Sequence, residues 1–428
     1  MDNVNCVSNI NFSLFDICNY NANLEDKDYF VGIKCENEKL QINFPLGYKK
    51  AENEQELRKD ILTLIKVLSV FNGENIARVT NVAFRDREKV QFPIHAYLYI
   101  IRDFLTNGYY VEKESFFVQS KTGKINWNKT IKNIKPIVSD EVVYLDFITR
   151  KTNYDENQLI TKIHQYCVFE SFNKLGWLFS SLRPRKPNVV FNKNLFTTII
   201  KTKLSQTFNE KILLLFNYML DIVEHLGKSN DQDNFFFGTE NFAYVWECIV
   251  DKTFGVNNKQ KYYPHIFWDI GGRQYSSDDT EYARAALRPD TIMILNENTA
   301  NQELFVLDSK YYKYGVSKIP CHLPMSGSIV KQIAYAEFID KKECEGKLYK
   351  SKSIYNAFIL PYEAKNELEL MKYVGTATTD YTIGDKGYHK IKAILIDTKY
   401  LMSNYNKGKS LSKMLGNEIK KQFLSMPL

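Results

Sequence analysis

Over the first 50 positions, apolar and polar residues alternate in short bursts, as at Tyr29-Phe30-Val31-Gly32-Ile33 and Leu40-Gln41-Ile42-Asn43-Phe44. A two-residue rhythm of this kind predicts strands joined by loops. The period then lengthens: Leu57, Ile61, Leu64, Ile65 and Leu68 form one stripe at helical spacing, predicting a helix over 54–71 stopped by Asn72-Gly73. A second helix is predicted from Pro93, turning Ile94, Leu98, Ile101 and Leu105 inward and ending at Gly108. Residues 109–119 and 124–127 read as a hairpin across Ser120-Lys121-Thr122-Gly123, with a further strand at 141–147. From Asp155 the pattern turns helical, to about Phe179 and again over 194–226, and Ser181-Leu182-Arg183-Pro184-Arg185-Lys186-Pro187 separates the two stretches because its prolines break a helix.

Beyond residue 230 the pattern places charged groups at the ends of apolar runs. Residues 239–255 read as a helix with Thr239 as N-cap and Gly255 as its stop, putting Glu240 and Glu247 on one face. Asp290 follows Arg288-Pro289 and opens the apolar run Thr291 to Leu295, while Asp308 closes Leu304-Phe305-Val306-Leu307. Both carboxylates therefore stand where short buried strands surface. Side chains alternate faces along a strand, so Asp308 and Lys310 point the same way and Ser309 points back. Two carboxylates and an ammonium at one spot can bind Mg²⁺ and stabilise charge developing on a phosphate, which is the chemistry of a metal-dependent phosphodiesterase. Asp-x-Lys alone is a common pattern at solvated strand ends, and its neighbours give it weight. Ser328 is placed to cap a helix over 329–339 that carries Gln332 and Tyr335 one turn apart, and the strand 354–360 follows, closed by Pro361.

A chain of 428 residues predicts two or three domains, and 44% hydrophobic with 25% charged residues is ordinary for a globular protein with sizeable cores. The net charge of +7 permits nucleic-acid binding without requiring it. Without a long apolar stretch or a basic start at Met1-Asp2-Asn3-Val4-Asn5, the expectation is a cytoplasmic protein that does not engage a membrane. Seven cysteines with no C-x-x-C pair suit free thiols (Cys6, Cys18, Cys35, Cys167, Cys248, Cys321, Cys344). His95, His164 and His265 lack partners at metal-ligand spacing and read as core or surface residues. Residues 171–209 carry Lys174, Arg183, Arg185, Lys186, Lys193, Lys201 and Lys203 and no acidic residue, which fits either a solvated connector or a surface that tracks DNA phosphates. Ile394-Leu395-Ile396 followed by Gly408-Lys409-Ser410 imitates a nucleotide-binding loop, but the required first glycine is Ser403, so no nucleotide is expected to bind this chain. Lys407, Lys409, Lys413, Lys420 and Lys421 read as an exposed basic C-terminal tail or helix.

The order of helix, two strands bearing Asp290 and Asp308/Lys310, helix and strand resembles the PD-(D/E)xK nuclease core, written here as Pro289-Asp290 and Asp308-Ser309-Lys310. Gln332-Ile333-Ala334-Tyr335 is similar to the Q-x-x-Y helix beside the site in several branches of that superfamily. Trp246-Glu247, the 290–310 stretch and the Gln332 helix resemble more narrowly the McrC-like subunits of NTP-dependent restriction systems, and within them the LlaJI family. This resemblance spans about 235–400; upstream only Gly123-Lys124-Ile125-Asn126-Trp127-Asn128-Lys129-Thr130-Ile131 is similar to the McrC pattern.

The resemblance implies an α+β multidomain protein: an N-terminal mixed α/β module over 1–152 for partner docking, a helical connector with the basic segment over 153–230, and a restriction-endonuclease-like PD-(D/E)xK α/β core over 231–428. It implies Mg²⁺, with Mn²⁺ able to substitute, held by Asp290, Asp308 and the Ser309 carbonyl. Lys310 would orient or deprotonate water or stabilise the transition state, Glu247 would act through water, and Gln332 would position water or strand, with Glu240 the alternative helix acid. Arg183, Arg185 and Lys186 are the candidate DNA-backbone contacts. The implied activity is GTP-dependent cleavage of double-stranded foreign DNA with a hexameric McrB-like AAA+ GTPase. Two alternatives remain open: a self-sufficient nuclease, and a non-catalytic DNA-binding scaffold.

Overall fold

The computed structural model describes residues 13–20, 29–36, 39–78, 92–138, 141–155, 158–179, 182–227, 234–276, 287–344, 346, 351, 353–382 and 386–424. Met1 to Asn5, Cys6 and Ser181, named above, lie outside them. In chain order the elements are β1 (Cys18–Asn19), β2 (Val31–Glu36), β3 (Lys39–Asn43), α1 (Glu54–Arg78), α2 (Ile94–Asn107), β4 (Glu112–Gln119), β5 (Lys124–Ile125), α3 (Trp127–Asn133), β6 (Ile137–Val138), β7 (Val142–Val143), β8 (Ile148–Asp155), α4 (Leu159–Leu175), α5 (Lys193–Gln206) and α6 (Glu210–Leu226). There follow β9 (Phe235–Thr239), α7 (Phe242–Phe254), β10 (Phe267–Ile270), β11 (Arg273–Ser276), β12 (Thr291–Leu295), β13 (Glu303–Ser309), α8 (Tyr314–Ser317), α9 (Ser326–Cys344), β14 (Ser353–Tyr362), β15 (Met371–Ala377), β16 (Ile391–Asp397), α10 (Thr398–Asn404) and α11 (Gly408–Leu424).

The chain forms two compact units that are not consecutive in sequence. The first is built mainly from Arg87–Phe237, and the second from Phe12–Lys34, Leu40–Asp86 and Gly238–Leu428. Much of the stretch expected within a 1–152 module thus packs with the C-terminal half, and the helices of the expected connector fall in the same unit as β4 to β8.

In the first unit, β4 pairs antiparallel with β8 along its length, and β5 pairs with β8 as well. The expected hairpin between 109–119 and 124–127 does not form. Asn126 instead caps a helix that begins at Trp127, accepting the Lys129 N–H at 3.0 Å, so the chain turns away after two strand residues. The helical stretch 194–226 is two helices, α5 and α6, because Asn209 accepts the N–H groups of Lys211 and Ile212 and starts a new one. His164 is a core residue: it accepts the Tyr110 N–H at 2.9 Å, and burial lowers its pKa to about 4. Two cations of the basic segment are likewise structural, since Lys174 is buried and Lys203 pairs with Glu112 at 2.6 Å.

The second unit is organised around a five-stranded sheet in the order β12-β13-β14-β16-β15. Parallel pairs β13/β14 and β14/β16 form its centre, flanked by antiparallel β12 and β15. Parallel neighbours need a crossover, and α9 supplies it between β13 and β14. Its Tyr335, Ala336 and Ile339 pack on Leu304, Val306 and Ile292, while Ile333 packs on Phe358 and Leu360. On the opposite face Trp246 of α7 donates its indole N–H to the Ile359 carbonyl at 3.3 Å, and Gly416 of α11 lets the helix close on Phe305 and Leu295.

Three local expectations change. α1 runs through Asn72-Gly73 to Arg78, because glycine costs a helix only about 1 kcal/mol and a long buried stripe outweighs that. α9 begins at Ser326, placing Ser328 inside it. β14 runs through Pro361, which is tolerated because β13 has ended at Ser309, opposite Ile359, so no neighbour on that side needs the missing N–H. The basic C-terminal segment is the helix α11, with Leu411, Leu415 and Ile419 buried. The imitation nucleotide loop is filled by α10, which leaves no glycine turn to wrap a phosphate.

The N-terminal stretch is fastened into this unit by polar contacts across more than 250 positions of sequence. The Leu46 N–H donates to Tyr311 Oη at 2.6 Å, Thr398 donates to the Leu46 carbonyl at 2.9 Å, and Lys399 bridges Glu56 at 2.6 Å and Asp60 at 2.7 Å.

Candidate active site

β13 emerges from the sheet at Asp308 and Ser309, and the ladder continues one step further, where the Lys310 N–H donates to the Ile359 carbonyl at 2.9 Å. That same carbonyl takes the Trp246 indole, so α7 is pinned at the strand end from which the candidate residues project. Strand alternation turns Ser309 into the protein, where it is 2% exposed, and sends Asp308 and Lys310 to the other side. Lys310 Nζ lies 2.9 Å from each oxygen of Asp308.

Asp290 arrives from the start of β12, and its Oδ2 accepts the Ser309 N–H at 2.9 Å. Burial raises its carboxyl pKa most, and the charge of Asp308 adds to this, bringing it to about 8. Asp290 therefore keeps its proton at neutral pH. Burial alone would lower the Lys310 pKa, but Asp308 and Asp290 outweigh it and hold the ammonium above its ordinary range. An ammonium held in this way suits the stabilisation of negative charge. Glu247 on α7 faces the same cluster; burial raises its carboxyl, the positive charges of Lys310 and Lys259 pull it down, and Asp308 pushes it up. Glu240 precedes α7 and is exposed, since Asn241, not Thr239, caps the helix by accepting the Tyr244 N–H. Glu240 and Glu247 therefore do not share a helical face.

Gln332 is fully buried, and its amide donates to the Val306 carbonyl at 2.6 Å, two residues before Asp308. Through this bond it braces the strand that carries Asp308. Tyr335 packs in the core and also makes a bond: its hydroxyl donates to the Arg288 carbonyl at 3.3 Å, two residues before Asp290. One helical turn of α9 thus grips both acid-bearing segments. Sequence reasoning missed Lys259, which donates to the Asp290 carbonyl and to Asp251, each at 2.7 Å, and so fixes the same segment from below α7. Its only signal was a lysine eight residues after an aspartate, a spacing that predicts no contact.

Among the described residues, no group of three or more His, Cys, Asp or Glu side chains stands close enough to cage a metal. The donor set is the Asp290–Asp308 pair, whose mutual repulsion is the arrangement a divalent cation relieves; hard oxygen donors in pairs suit Mg²⁺, which keeps several waters. Arg183, Arg185 and Lys186 are all exposed and lie in the first unit.

The profile of the LlaJI restriction endonuclease family matches residues 30–396. The chain belongs to this family. A type II restriction enzyme BsuMI component, YdjA of Bacillus subtilis strain 168, is 24% identical to this LlaJI-family chain over 372 residues, covering 82% of it and 76% of the relative. Among solved structures it is similar, with 15% identity and a TM-score of 0.35, to a chain of a half-complex from the tetradecameric assembly of Thermococcus gammatolerans McrB AAA+ hexamers with bound McrC; the match covers 89% of this chain and 82% of that one. Among the described residues, no helix is long and apolar enough to cross a membrane.

Proposed function

We propose that this LlaJI-family chain is the Mg²⁺-dependent endonuclease subunit of a restriction system, hydrolysing phosphodiester bonds of double-stranded DNA when joined by a GTP-hydrolysing AAA+ partner. The observation that carries the reading is the convergence of Asp290, Asp308 and Lys310 at the end of β13. Asp290 and Asp308, with the Ser309 carbonyl, would hold the metal, and Mn²⁺ would substitute. When bound, the ion supplies positive charge to the phosphate and eases ionisation of water. Lys310 presents its ammonium to the charge that develops on the phosphate oxygens, and Glu247 hydrogen-bonds water from the α7 side. Gln332, Tyr335 and Lys259 keep the two carboxylates in register.

Partner docking is supported by the first unit's exposed apolar hairpin, β6 and β7, where Val138 is 70% and Val142 61% exposed. An apolar surface of this kind marks a protein contact. The test is cleavage of plasmid DNA by the chain co-purified with its neighbouring NTPase, with Mg²⁺, with EDTA, with GTP, with ATP and without nucleotide. Asp308→Ala should abolish cutting while leaving partner binding intact. Full activity of that variant would overturn the site, and robust site-specific cutting by the chain alone would replace the subunit reading with a self-sufficient nuclease.

A further inference from the structure

Between Phe116 and Ser139 the chain has five lysines, at 121, 124, 129, 132 and 135, and no acidic residue. All five are exposed. Strand register assembles part of this stretch into one face. Phe117 of β4 and Lys124 of β5 both stand opposite Arg150 of β8, so the three form a row across the sheet. Lys129 of α3 reaches the same row, with its Nζ 3.6 Å from the centroid of the Phe117 ring. Two residues before Lys129, Trp127 is 53% exposed, its indole steadied edge-on by Phe147 at 5.7 Å. Phe117 is 40% exposed.

Large aromatic rings in water are unfavourable unless something stacks on them, and lysine is depleted at the centre of protein–protein contacts. Rings interleaved with lysines have a different complement, a polyanion that carries flat faces. In a duplex those faces are hidden, and α3, only seven residues long, is too short to read a major groove from within. We propose that the β4-β5-α3 face of the first unit binds single-stranded DNA. Bases stack on Trp127 and Phe117 while Lys124, Lys129 and Lys132 neutralise successive phosphates. This inference does not depend on the nuclease reading, since none of its residues belongs to the candidate active site.

The experiment is fluorescence anisotropy of a labelled oligothymidylate, about 20 nucleotides long, with the full chain in EDTA, repeated across a salt series and with a duplex of equal length. Binding should favour the single strand. Trp127→Ala should weaken it roughly 5- to 100-fold without changing the salt slope, and Trp127→Phe should restore most of the loss. The triple change Lys124→Ser, Lys129→Ser, Lys132→Ser should flatten the log–log salt slope by about two. All four substituted side chains are at the surface, so circular dichroism should show every variant folded. The proposal is overturned if the oligothymidylate does not bind at low salt, if duplex binds as well and ignores Trp127, or if the triple variant keeps the parental slope. Absence of oligonucleotide binding together with lysine-dependent capture of an acidic protein partner would assign the face to protein docking instead.

Discussion

Replacing Asp290 by Asn should make the protein more stable and less active at once. In the folded chain burial, and then the charge of Asp308, hold the Asp290 carboxyl at about 8, against an ordinary value of 3.8. Between those values the folded protein keeps a proton that the unfolded chain has released, so stability falls as pH rises through the window and levels off above about 8. At roughly 1.4 kcal/mol for each tenfold change in proton affinity, the whole displacement is on the order of 5 kcal/mol. An uncharged amide escapes the burial cost and should recover about 2–4 kcal/mol of it above about pH 8. The amide also keeps an acceptor for the Ser309 N–H and offers an N–H to Asp308, leaving no group stranded. Urea unfolding in EDTA should therefore show the two proteins nearly equal near about pH 4 and the variant ahead near about pH 8.5. Adding Mg²⁺ should stabilise the parent at the higher pH and leave the variant almost unmoved. A variant no more stable than its parent at high pH would show that the carboxylates do not repel one another, and the argument for a cation between them would lose its basis.

Lys310→Ala should slow cleavage by about 100- to 1000-fold, measured under saturating Mg²⁺, and activity of the unmodified protein should show no loss from lysine titration up to about pH 9, because the neighbouring carboxylates hold the ammonium above its ordinary range. Tyr335→Phe should cost only about 1 kcal/mol of stability yet lower the cleavage rate by roughly 10- to 100-fold, through misplacement of Asp290; equal losses in a variant remote from α9 would refute that division. Lys399→Ala strands the buried Asp60 and should destabilise the chain by about 3 kcal/mol in urea unfolding, with far less effect from Lys399→Arg. Replacing Arg183, Arg185 and Lys186 by Ala should reduce the log–log salt slope of duplex binding by roughly one per lost phosphate contact, and an unchanged slope would make the segment a plain connector.

The acid-bearing strands were legible because each is a short apolar run with its charge at one end, a pattern that depends on neighbours in sequence alone. The α9 helix was legible for the same reason. What escaped was tertiary: the pairing of β4 and β5 with β8 and not with each other, the tethering of Arg288 by Tyr335 and of Asp290 by Lys259, and the direction of the Gln332 amide. Each joins residues whose spacing carries no periodic signal, and hydrogen bonds to main-chain carbonyls leave no mark on side-chain pattern. Glu240 was misjudged by one cap: Asn241, two residues on from Thr239, starts the helix, which leaves Glu240 outside it.

The division of the chain also bears on how its parts can be separated. Because most of β3 and α1 belong with the sheet that carries Asp308, while most of the first unit lies between Arg87 and Phe237, that stretch interrupts the second unit in sequence and does not precede it. A ribosome releasing this chain exposes Leu46, Glu56 and Asp60 long before their partners Tyr311, Thr398 and Lys399 exist, so the second unit waits, incomplete, while the stretch between folds. Cutting the gene near residue 150 would remove pieces of both units. To obtain the second unit alone, the stretch between must be excised and its flanks rejoined, and the same rule governs any exchange of units between relatives.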